Sequence, residues 1–179
     1  MYDIAIIGAG ITGSSIAREL SKYKLNIVVL EKGVEVCQGT TKANSAIVHG
    51  GFDAKIGSLK AKLNVRGNEL YPSLCEDLSV EFKQIGSLVL AFDEDEKRHI
   101  EDLYNRGVKN HVKGLRLLDH EEVINIEPNV NKNVVGALLC ESAGIVCPFN
   151  LNVALMENAI NNGVELKLQS EVLDIRKDN

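Results

Sequence analysis

The chain has 179 residues, of which 45% are hydrophobic and 25% charged, and its formal net charge is -5. This length is enough for one soluble domain, or one and a half, with a buried core. The negative charge and an aromatic content of only 4%, without tryptophan, argue against a nucleic-acid partner. No apolar stretch approaches the roughly 20 residues that a membrane span needs.

The amino terminus and the four cysteines indicate where in the cell the protein is located. The acidic residue Asp3 lies directly after Met1 and Tyr2, and no basic segment precedes the first apolar run, so we expect no secretory signal. Cys37, Cys75, Cys140 and Cys147 form no C-x-x-C pair and show no metal-ligand spacing. We expect no metal site and free thiols in a reducing cytoplasm, a Cys140–Cys147 disulfide being the alternative. The expected location is cytoplasmic, with contact at a membrane surface left open.

The first thirty-one residues have the order of a mononucleotide-binding unit. A buried strand, a glycine-rich turn, a helix and a second buried strand are predicted over residues 3–7, 8–13, 11–22 and 26–31. The second strand ends in an acid, Glu31. This context predicts an adenine dinucleotide as ligand. The alternative is a glycine turn that serves only a tight connection between strand and helix.

Each glycine of the turn has a separate predicted task. Gly8 allows the sharp turn, Gly10 lets the backbone approach a pyrophosphate, and Gly13 lets the helix lie close to the sheet. The positive end of the helix dipole favours the anion. Glu31 is placed to accept hydrogen bonds from ribose hydroxyls. The long loop of residues 32–58 starts at the same sheet edge, so we expect it to run along the ligand.

The middle of the chain predicts a mixture of helices and strands. A helix is expected over 58–78, ended or kinked near Tyr71 by Pro72, and one strand over 82–92. Asp93 with Glu96 resembles a capping box that opens a helix to about residue 111. The predicted apolar face of this helix consists of Ile100, Leu103, Tyr104 and Val108.

The rest of the chain continues this mixture and then returns to a helix and strands. A strand over 115–118 precedes a short helix that is capped by Asp119 and Glu122 and stops before Pro128. Further strands are predicted over 134–140, 144–146, 164–168 and 171–175, and a helix over 148–161. This order fits a nucleotide domain interrupted by an insertion. The predicted parts are residues 1–79, the insertion 80–147, and residues 148–179.

Three stretches together resemble the flavin-dependent oxidoreductases of the D-amino-acid oxidase superfamily. They are the glycine turn with Glu31-Lys32, the ordered run TKANSAIVHGGFD at 41–53, and GSLVLAF at 86–92. Within the superfamily they look most like the glycerol-3-phosphate dehydrogenase/oxidase branch, with the L-2-hydroxyglutarate oxidases next. The resemblance implies an α/β fold with an incomplete, glutathione-reductase-like FAD-binding Rossmann domain and an inserted mixed α+β substrate domain.

The resemblance also implies a cofactor and the residues that bind it. The cofactor is FAD, with the pyrophosphate at the three glycines, the adenosine ribose at Glu31, and the adenine at the backbone of Val172. Thr41, Asn44 and Ser45 would follow the phosphates and the flavin. The complete set of expected cofactor-binding residues is Gly8, Gly10, Gly13, Glu31, Lys32, Thr40, Thr41, Asn44, Ser45 and Val172.

His49 matches the histidine that acts as base beside the flavin in this branch. Oxidation of a secondary alcohol by hydride transfer leaves a hydroxyl proton to remove, and a histidine is suited to this at neutral pH. The expected substrate is a small anionic alcohol, glycerol 3-phosphate, which becomes dihydroxyacetone phosphate. L-2-hydroxyglutarate or another 2-hydroxy acid is the alternative, and a dinucleotide-binding module without catalysis is a further one. A solvated surface position is the other interpretation of His49 itself.

Relatives of this kind are considerably longer than 179 residues. The later strands of the nucleotide sheet and the basic residues that would hold the substrate's anionic end are missing. We therefore expect an amino-terminal fragment whose partner is the missing carboxyl-terminal half.

Overall fold

The structure is a computed structural model that describes residues 1–177. Its helices are α1 (Ile11–Leu20), α2 (Leu59–Asp77), α3 (Glu94–Lys109), α4 (His120–Ile126) and α5 (Pro148–Asn161), with a 3-10 turn at Gly39–Thr41. Its strands are β1 (Ile4–Ile7), β2 (Ile27–Leu30), β3 (Ile47–Val48), β4 (Phe82–Lys83), β5 (Ser87–Ala91), β6 (Leu115–Asp119), β7 (Gly136–Cys140), β8 (Gly144–Val146) and β9 (Glu165–Lys167).

The chain divides into two compact units. The first unit contains Met1–Ala46, Leu74–Glu81 and the described part of Val146–Asn179, and the second contains Ile47–Ser73 and Phe82–Ile145. Helix α2 begins in the second unit and ends in the first. The assignment of residues 1–79 and 148–179 to a cofactor domain and of 80–147 to a substrate domain stays a prediction.

A parallel sheet in the order β1-β2-β9 forms the centre of the first unit. Strand β2 is buried along most of its length, because β1 and β9 pair with its two edges and helices α1 and α5 contribute to the core. The buried residues of this core are Ile6, Ala9, Ala17, Ile27, Val29, Met156, Ala159 and Val164. Both predicted strands are present. The prediction that β1 is buried on both faces is wrong, since Ile7 is 58% exposed at a sheet edge.

The second unit contains two three-stranded sheets, one of which is antiparallel throughout. Strands β5, β7 and β6 form one sheet, in the order β5-β7-β6, and helices α3 and α4 pack on it. Strand β8 lies between β3 and β4 in the other sheet. The buried residues of α3 are Ile100, Leu103 and Gly107. Val108, predicted on the apolar face, is half exposed, so that prediction is wrong, and Gly107 occupies the packed position beside Leu115 and Phe52.

Three further sequence predictions differ from the structure. The single strand predicted over 82–92 is two strands, β4 and β5, because Gly86 between them adopts a positive φ of 74° and turns the chain. Helix α2 is not ended by Pro72 but runs through it to Asp77. Residues 171–175 form no strand, although β9 is present as predicted.

Helix signals in the sequence predicted the remaining boundaries well. Asp119 and Glu122 form the predicted capping box at α4. Asp93 caps α3 by accepting from the Glu96 N–H, while the Glu96 carboxylate accepts from Phe92 N rather than from Asp93. Pro148 occupies the first turn of α5, and Gly163 follows the helix with a φ of 95°.

Candidate dinucleotide-binding site

The glycine turn joins β1 to α1, and the start of α1 packs tightly against the backbone of the turn. Gly8 has a φ of 97°, which favours glycine, and its N–H donates to the Leu30 carbonyl at 2.8 Å. A Cβ on Gly13 would lie 2.0 Å from the Gly8 carbonyl oxygen. No side chain fits there unless α1 moves away from the turn.

Glu31 binds the turn directly. Its side chain is buried, and one carboxylate oxygen accepts from Ala9 N at 2.8 Å while the other accepts from Gly33 N at 2.8 Å. These two bonds fasten the middle of the turn to the end of β2. An ionised carboxylate has about four acceptor positions. Glu31 therefore keeps acceptor capacity for a ligand hydroxyl in addition to a structural role that the sequence did not predict.

A cavity of about 330 Å³ opens beside this end of the sheet. It is lined by Ile7, Gly8, Leu30, Glu31, Lys32, Ser170, Glu171 and Val172. The segment after β9 is held here by backbone bonds from Gln169 N to Gly33 O and from Ser170 N to Glu31 O, both 2.9 Å. The structure thus brings together residues from three parts of the sequence. Val172 lines the cavity from an irregular segment rather than from the predicted strand.

Thr41 reaches the amino-terminal end of α1. Its Oγ1 accepts from Ile11 N at 3.0 Å and lies 3.0 Å from the position of a Cβ on Gly10. The first N–H groups of a helix lack partners within the helix, so this hydroxyl satisfies one of them. Thr41 is buried, whereas Thr40 beside it is exposed. The hydroxyl is the only contact within 4 Å that limits a side chain at Gly10 among the described residues.

Asn44 stabilises the loop that follows. Its Nδ2 donates to the Thr41 carbonyl at 2.7 Å, and its Oδ1 accepts from Ala46 N at 2.8 Å. Asn44, Ser45 and Lys32 are exposed. Their contact with a ligand stays a prediction, and the structure adds a local role for Asn44 that the sequence did not predict.

Cys37 lies in the loop that precedes Thr41. It is 2% exposed and has a φ of 65°, and its backbone N–H donates to the Ala9 carbonyl at 3.2 Å. Burial raises the pKa of the Cys37 thiol, and the nearby Cys147 and Glu35 add to this effect. The thiol is therefore protonated at neutral pH and supplies packing rather than a nucleophile.

His49 lies in the second unit, where its loop is fastened through the backbone. Its side chain is exposed, and its carbonyl accepts from Asn68 Nδ2 at 3.3 Å. The same amide donates to the Ser142 carbonyl at 2.9 Å. A Cβ on Gly50 would lie 2.3 Å from Cys140 Sγ, so only glycine fits next to the histidine.

The second half of this loop is held by Asn110 at the end of α3. Asn110 is buried, and its Nδ2 lies 2.8 Å from the Ala54 carbonyl and 3.3 Å from that of Gly51. Gly51 adopts a φ of 103°. Two asparagines from different helices therefore fix the path of the chain on the carboxyl-terminal side of His49, which neither composition nor spacing predicted.

A second cavity, of about 380 Å³, lies within the second unit. Its lining residues are Gly50, Val65, Asn68, Glu69, Pro72, Gln84, Lys113 and Ser142. Lys113 Nζ lies 2.8 Å from the Glu69 carboxylate. The hydrogen bond from Lys113, with the charges of Lys113 and Arg66, lowers the pKa of the Glu69 carboxyl.

Within residues 1–177, no group of three or more His, Cys, Asp or Glu side chains is arranged to hold a metal ion. None of the described helices combines the length and apolar character needed to cross a membrane. The four cysteines are free thiols, so the alternative Cys140–Cys147 disulfide is not formed.

The parallel sheet, the glycine turn and the acidic residue after β2 define a dinucleotide-binding α/β protein. Comparison with protein families narrows this class: residues 3–179 match the model of the FAD-dependent oxidoreductases, and the chain belongs to that family. The family and fold predicted from the sequence are therefore confirmed.

Three relatives illustrate the match. A glycerol 3-phosphate dehydrogenase of Caloramator mitchellensis is 52% identical over 99% of this chain and 37% of its own length. The mitochondrial L-2-hydroxyglutarate dehydrogenase of Dictyostelium discoideum is 38% identical over 82% of this chain and 33% of its own. The solved structure of Mycoplasma pneumoniae L-α-glycerophosphate oxidase with FAD bound superposes with a TM-score of 0.92 at 32% identity, over 99% of this chain and 47% of that one. The chain thus spans between a third and a half of the length of these relatives.

Proposed function

We propose that the first unit binds FAD and forms the cofactor-binding part of an oxidoreductase. The observation that carries this proposal is the cavity in which Gly8, Glu31, Lys32 and Val172, chosen from the sequence alone, lie together. FAD fits the groups present: a buried carboxylate for ribose hydroxyls, and the glycine-rich start of a helix, where no side chain of the N-cap residue caps the first turn, for the pyrophosphate. Membership of the FAD-dependent family supports the choice of cofactor.

Each predicted residue has a place in this proposal. The turn formed by Gly8, Gly10 and Gly13 holds the pyrophosphate, Glu31 accepts from the adenosine ribose, and the Val172 backbone faces the adenine. The loop residues that follow the phosphates and the flavin are Thr40, Thr41, Asn44 and Ser45, with Lys32 at the rim of the cavity.

The proposed reaction is oxidation of a small anionic secondary alcohol, glycerol 3-phosphate, to dihydroxyacetone phosphate. Bound FAD would supply the acceptor for the hydride from the substrate carbon. His49 would take the hydroxyl proton as general base, on a loop whose path is fixed by Asn68 and Asn110. The 52% identity with a glycerol 3-phosphate dehydrogenase supports this substrate.

A 2-hydroxy acid such as L-2-hydroxyglutarate is the second candidate substrate. The 38% identity with the Dictyostelium discoideum dehydrogenase favours it over other alcohols. Both candidates carry an anionic group next to a secondary alcohol, so the same proton transfer by His49 serves either one. We propose a cytoplasmic location. We also propose that this chain works together with a polypeptide segment equivalent to the part of its relatives that this chain does not cover.

The cofactor is tested by an absorption spectrum. The 179-residue chain is mixed with FAD, desalted and scanned in the visible range. Retained oxidised-flavin absorbance with a protein-shifted spectrum is the expected result. Loss of all flavin on desalting, together with no quenching of flavin fluorescence on titration, would overturn the proposal that this chain binds FAD.

The substrate is tested by anaerobic reduction of the bound flavin. The complete protein is mixed with glycerol 3-phosphate or with L-2-hydroxyglutarate, and the loss of oxidised-flavin absorbance is followed. Faster bleaching by glycerol 3-phosphate is expected. Bleaching by the hydroxy acid alone would favour the second candidate substrate. Bleaching by neither compound would favour the alternative of a dinucleotide-binding module without catalysis.

A further inference from the structure

Asn152 is the only residue of α5 that brings a buried polar side chain into the core of the first unit, among the residues described. It is 0% exposed and lies among Leu151, Leu155 and Met156 on the buried face of the helix. Its Nδ2 donates to the Ala9 carbonyl at 3.0 Å, across 143 residues of sequence. Its Oδ1 has no hydrogen-bond partner within the part of the chain that the structure describes.

An amide in this position does not stabilise the core. A buried acceptor without a partner carries its full desolvation cost, and an apolar side chain of similar size would avoid that cost. The Ala9 carbonyl would still have hydrogen-bond donors without Asn152, because Cys37 N donates to it at 3.2 Å and Ser14 Oγ at 3.4 Å. Core stability alone therefore gives no reason for an asparagine here.

The geometry of the peptide bond gives a reason. The described chain contains no cis peptide, so the Ala9 carbonyl and the Gly10 N–H, which belong to one peptide unit, point in opposite directions. Asn152 Nδ2 is the nearest of three donors to this carbonyl, at 3.0 Å, and helps to hold it toward the core together with Cys37 N and Ser14 Oγ. The Gly10 N–H is thereby turned away from the core, at the start of α1, where a pyrophosphate would accept from it.

The preceding peptide unit, Gly8–Ala9, is also held by a buried side chain, that of Glu31. Glu31 Oε2 accepts from Ala9 N at 2.8 Å, which determines the orientation of the Gly8–Ala9 unit. With both peptide units held, the turn needs little reorganisation when an anion binds, and a preorganised donor gives more affinity than a mobile one.

We propose that Asn152 is a positioning residue for dinucleotide binding, which orients the Gly10 N–H toward the pyrophosphate of the cofactor. This inference rests on the proposed binding of FAD by the first unit. It assigns to α5 a role in recognition of the diphosphate group, in addition to its packing against α1.

The proposal predicts opposite effects on affinity and on stability. In Asn152→Leu, the dissociation constant for FAD should rise about threefold to tenfold, the range of one net hydrogen bond. The melting temperature without ligand should stay unchanged or rise, because the unpaired oxygen is removed. Asn152→Ala, which adds no bulk, tests whether the Leu side chain itself disturbs the turn, and it should show the same loss of affinity.

The measurement is a titration of the 179-residue chain with FAD by flavin fluorescence, with ADP as competitor and Asn161→Leu, at the exposed end of α5, as the matched control. ADP carries the same diphosphate, so both variants should weaken ADP and FAD by the same factor. Unchanged FAD affinity, weakening of FAD but not of ADP, or weakening no greater than in Asn161→Leu would overturn the proposal. A parent chain that binds no FAD would overturn the proposed function, and this inference with it.

Discussion

The glycine turn and the His49 loop are both held by side chains distant in sequence, but in different ways. At the turn, bonds from Glu31 and Asn152 hold the backbone N–H and carbonyl of Ala9 in the core of the first unit. At the loop, Asn68 and Asn110 hold carbonyls on the backbone, while the His49 side chain is exposed. The turn is thus held on both sides of Ala9, whereas the loop presents one exposed side chain on a backbone that is held next to it.

Under the proposed function, this difference corresponds to a division between cofactor binding at the turn and chemistry at the His49 loop. Changes at the turn are expected to alter cofactor affinity, and changes at the loop are expected to alter the rate of flavin reduction with the cofactor still bound. Substitutions that move both quantities together would contradict the division.

The largest effect is expected at Gly10. In Gly10→Val, the Cβ would lie 3.0 Å from Thr41 Oγ1 and would cover the backbone that faces the pyrophosphate, so FAD binding should be abolished while α1 remains formed. Fluorescence titration measures the binding and circular dichroism the helix content. Gly67→Val is the control, since a Cβ at Gly67 would meet nothing within 4 Å apart from its chain neighbours and the adjacent backbone of its own helix. Flavin retention equal to that of the parent would show that the pyrophosphate binds elsewhere.

The next largest effect is expected at His49. His49→Asn in the complete protein should slow flavin reduction by about 10²–10⁴-fold, the usual contribution of a positioned base. The bound-flavin spectrum and the FAD dissociation constant should not change. Anaerobic stopped-flow reduction across pH is the measurement, with His99→Asn, on the exposed surface of α3, as control. A parental rate with parental pH dependence would make His49 a surface residue without a catalytic role.

A smaller effect is expected at Glu31. Glu31→Gln places an amide N–H₂ against Ala9 N or Gly33 N and removes the charge. FAD affinity should fall by about 1–3 kcal/mol, and the melting temperature should fall as well, unlike in Asn152→Leu. Glu171→Gln, which removes a charge from the same cavity, is the matched control. Equal losses of FAD affinity and of melting temperature in the two variants would contradict a specific role for Glu31 in binding the ribose.

The smallest effect is expected at Asn68. Asn68→Leu removes the bonds to the His49 and Ser142 carbonyls, so the loop becomes less well placed. Flavin reduction should slow about threefold to tenfold with FAD affinity unchanged, the range of one net hydrogen bond. Asn105→Leu, on the exposed face of α3, is the control. A weaker affinity for FAD in Asn68→Leu, with an unchanged rate, would contradict the division between turn and loop.

The features that were predicted correctly from the sequence depend on residues close together in the chain. The glycine turn, the capping box at Asp119 and the proline that opens α5 each act within one turn of helix or one connection, and each was predicted correctly. The single strand predicted over 82–92 was wrong because Gly86 inside it adopts a positive φ, and the strands before and after it belong to different sheets.

Long-range contacts account for what could not be predicted. Asn152 lies in a helix that was predicted correctly, but its partner Ala9 lies 143 residues away in the sequence. The available signal was a polar residue on the buried face of an amphipathic helix, next to Leu151 and Leu155. Asn68 and Asn110 gave no such signal, because their targets are backbone carbonyls, which any sequence provides.

The position of β2 between β1 and β9 has a consequence for synthesis of the protein on the ribosome. Strand β1 and strand β2 leave the ribosome early, but β9 follows only after the whole second unit and α5. Until then one edge of β2, an apolar strand, has no partner. An unpaired edge of this kind can pair with another chain, so misassembly competes with folding during this interval. Slower translation of the second unit would lengthen the interval, and faster arrival of Val164–Lys167 would shorten it.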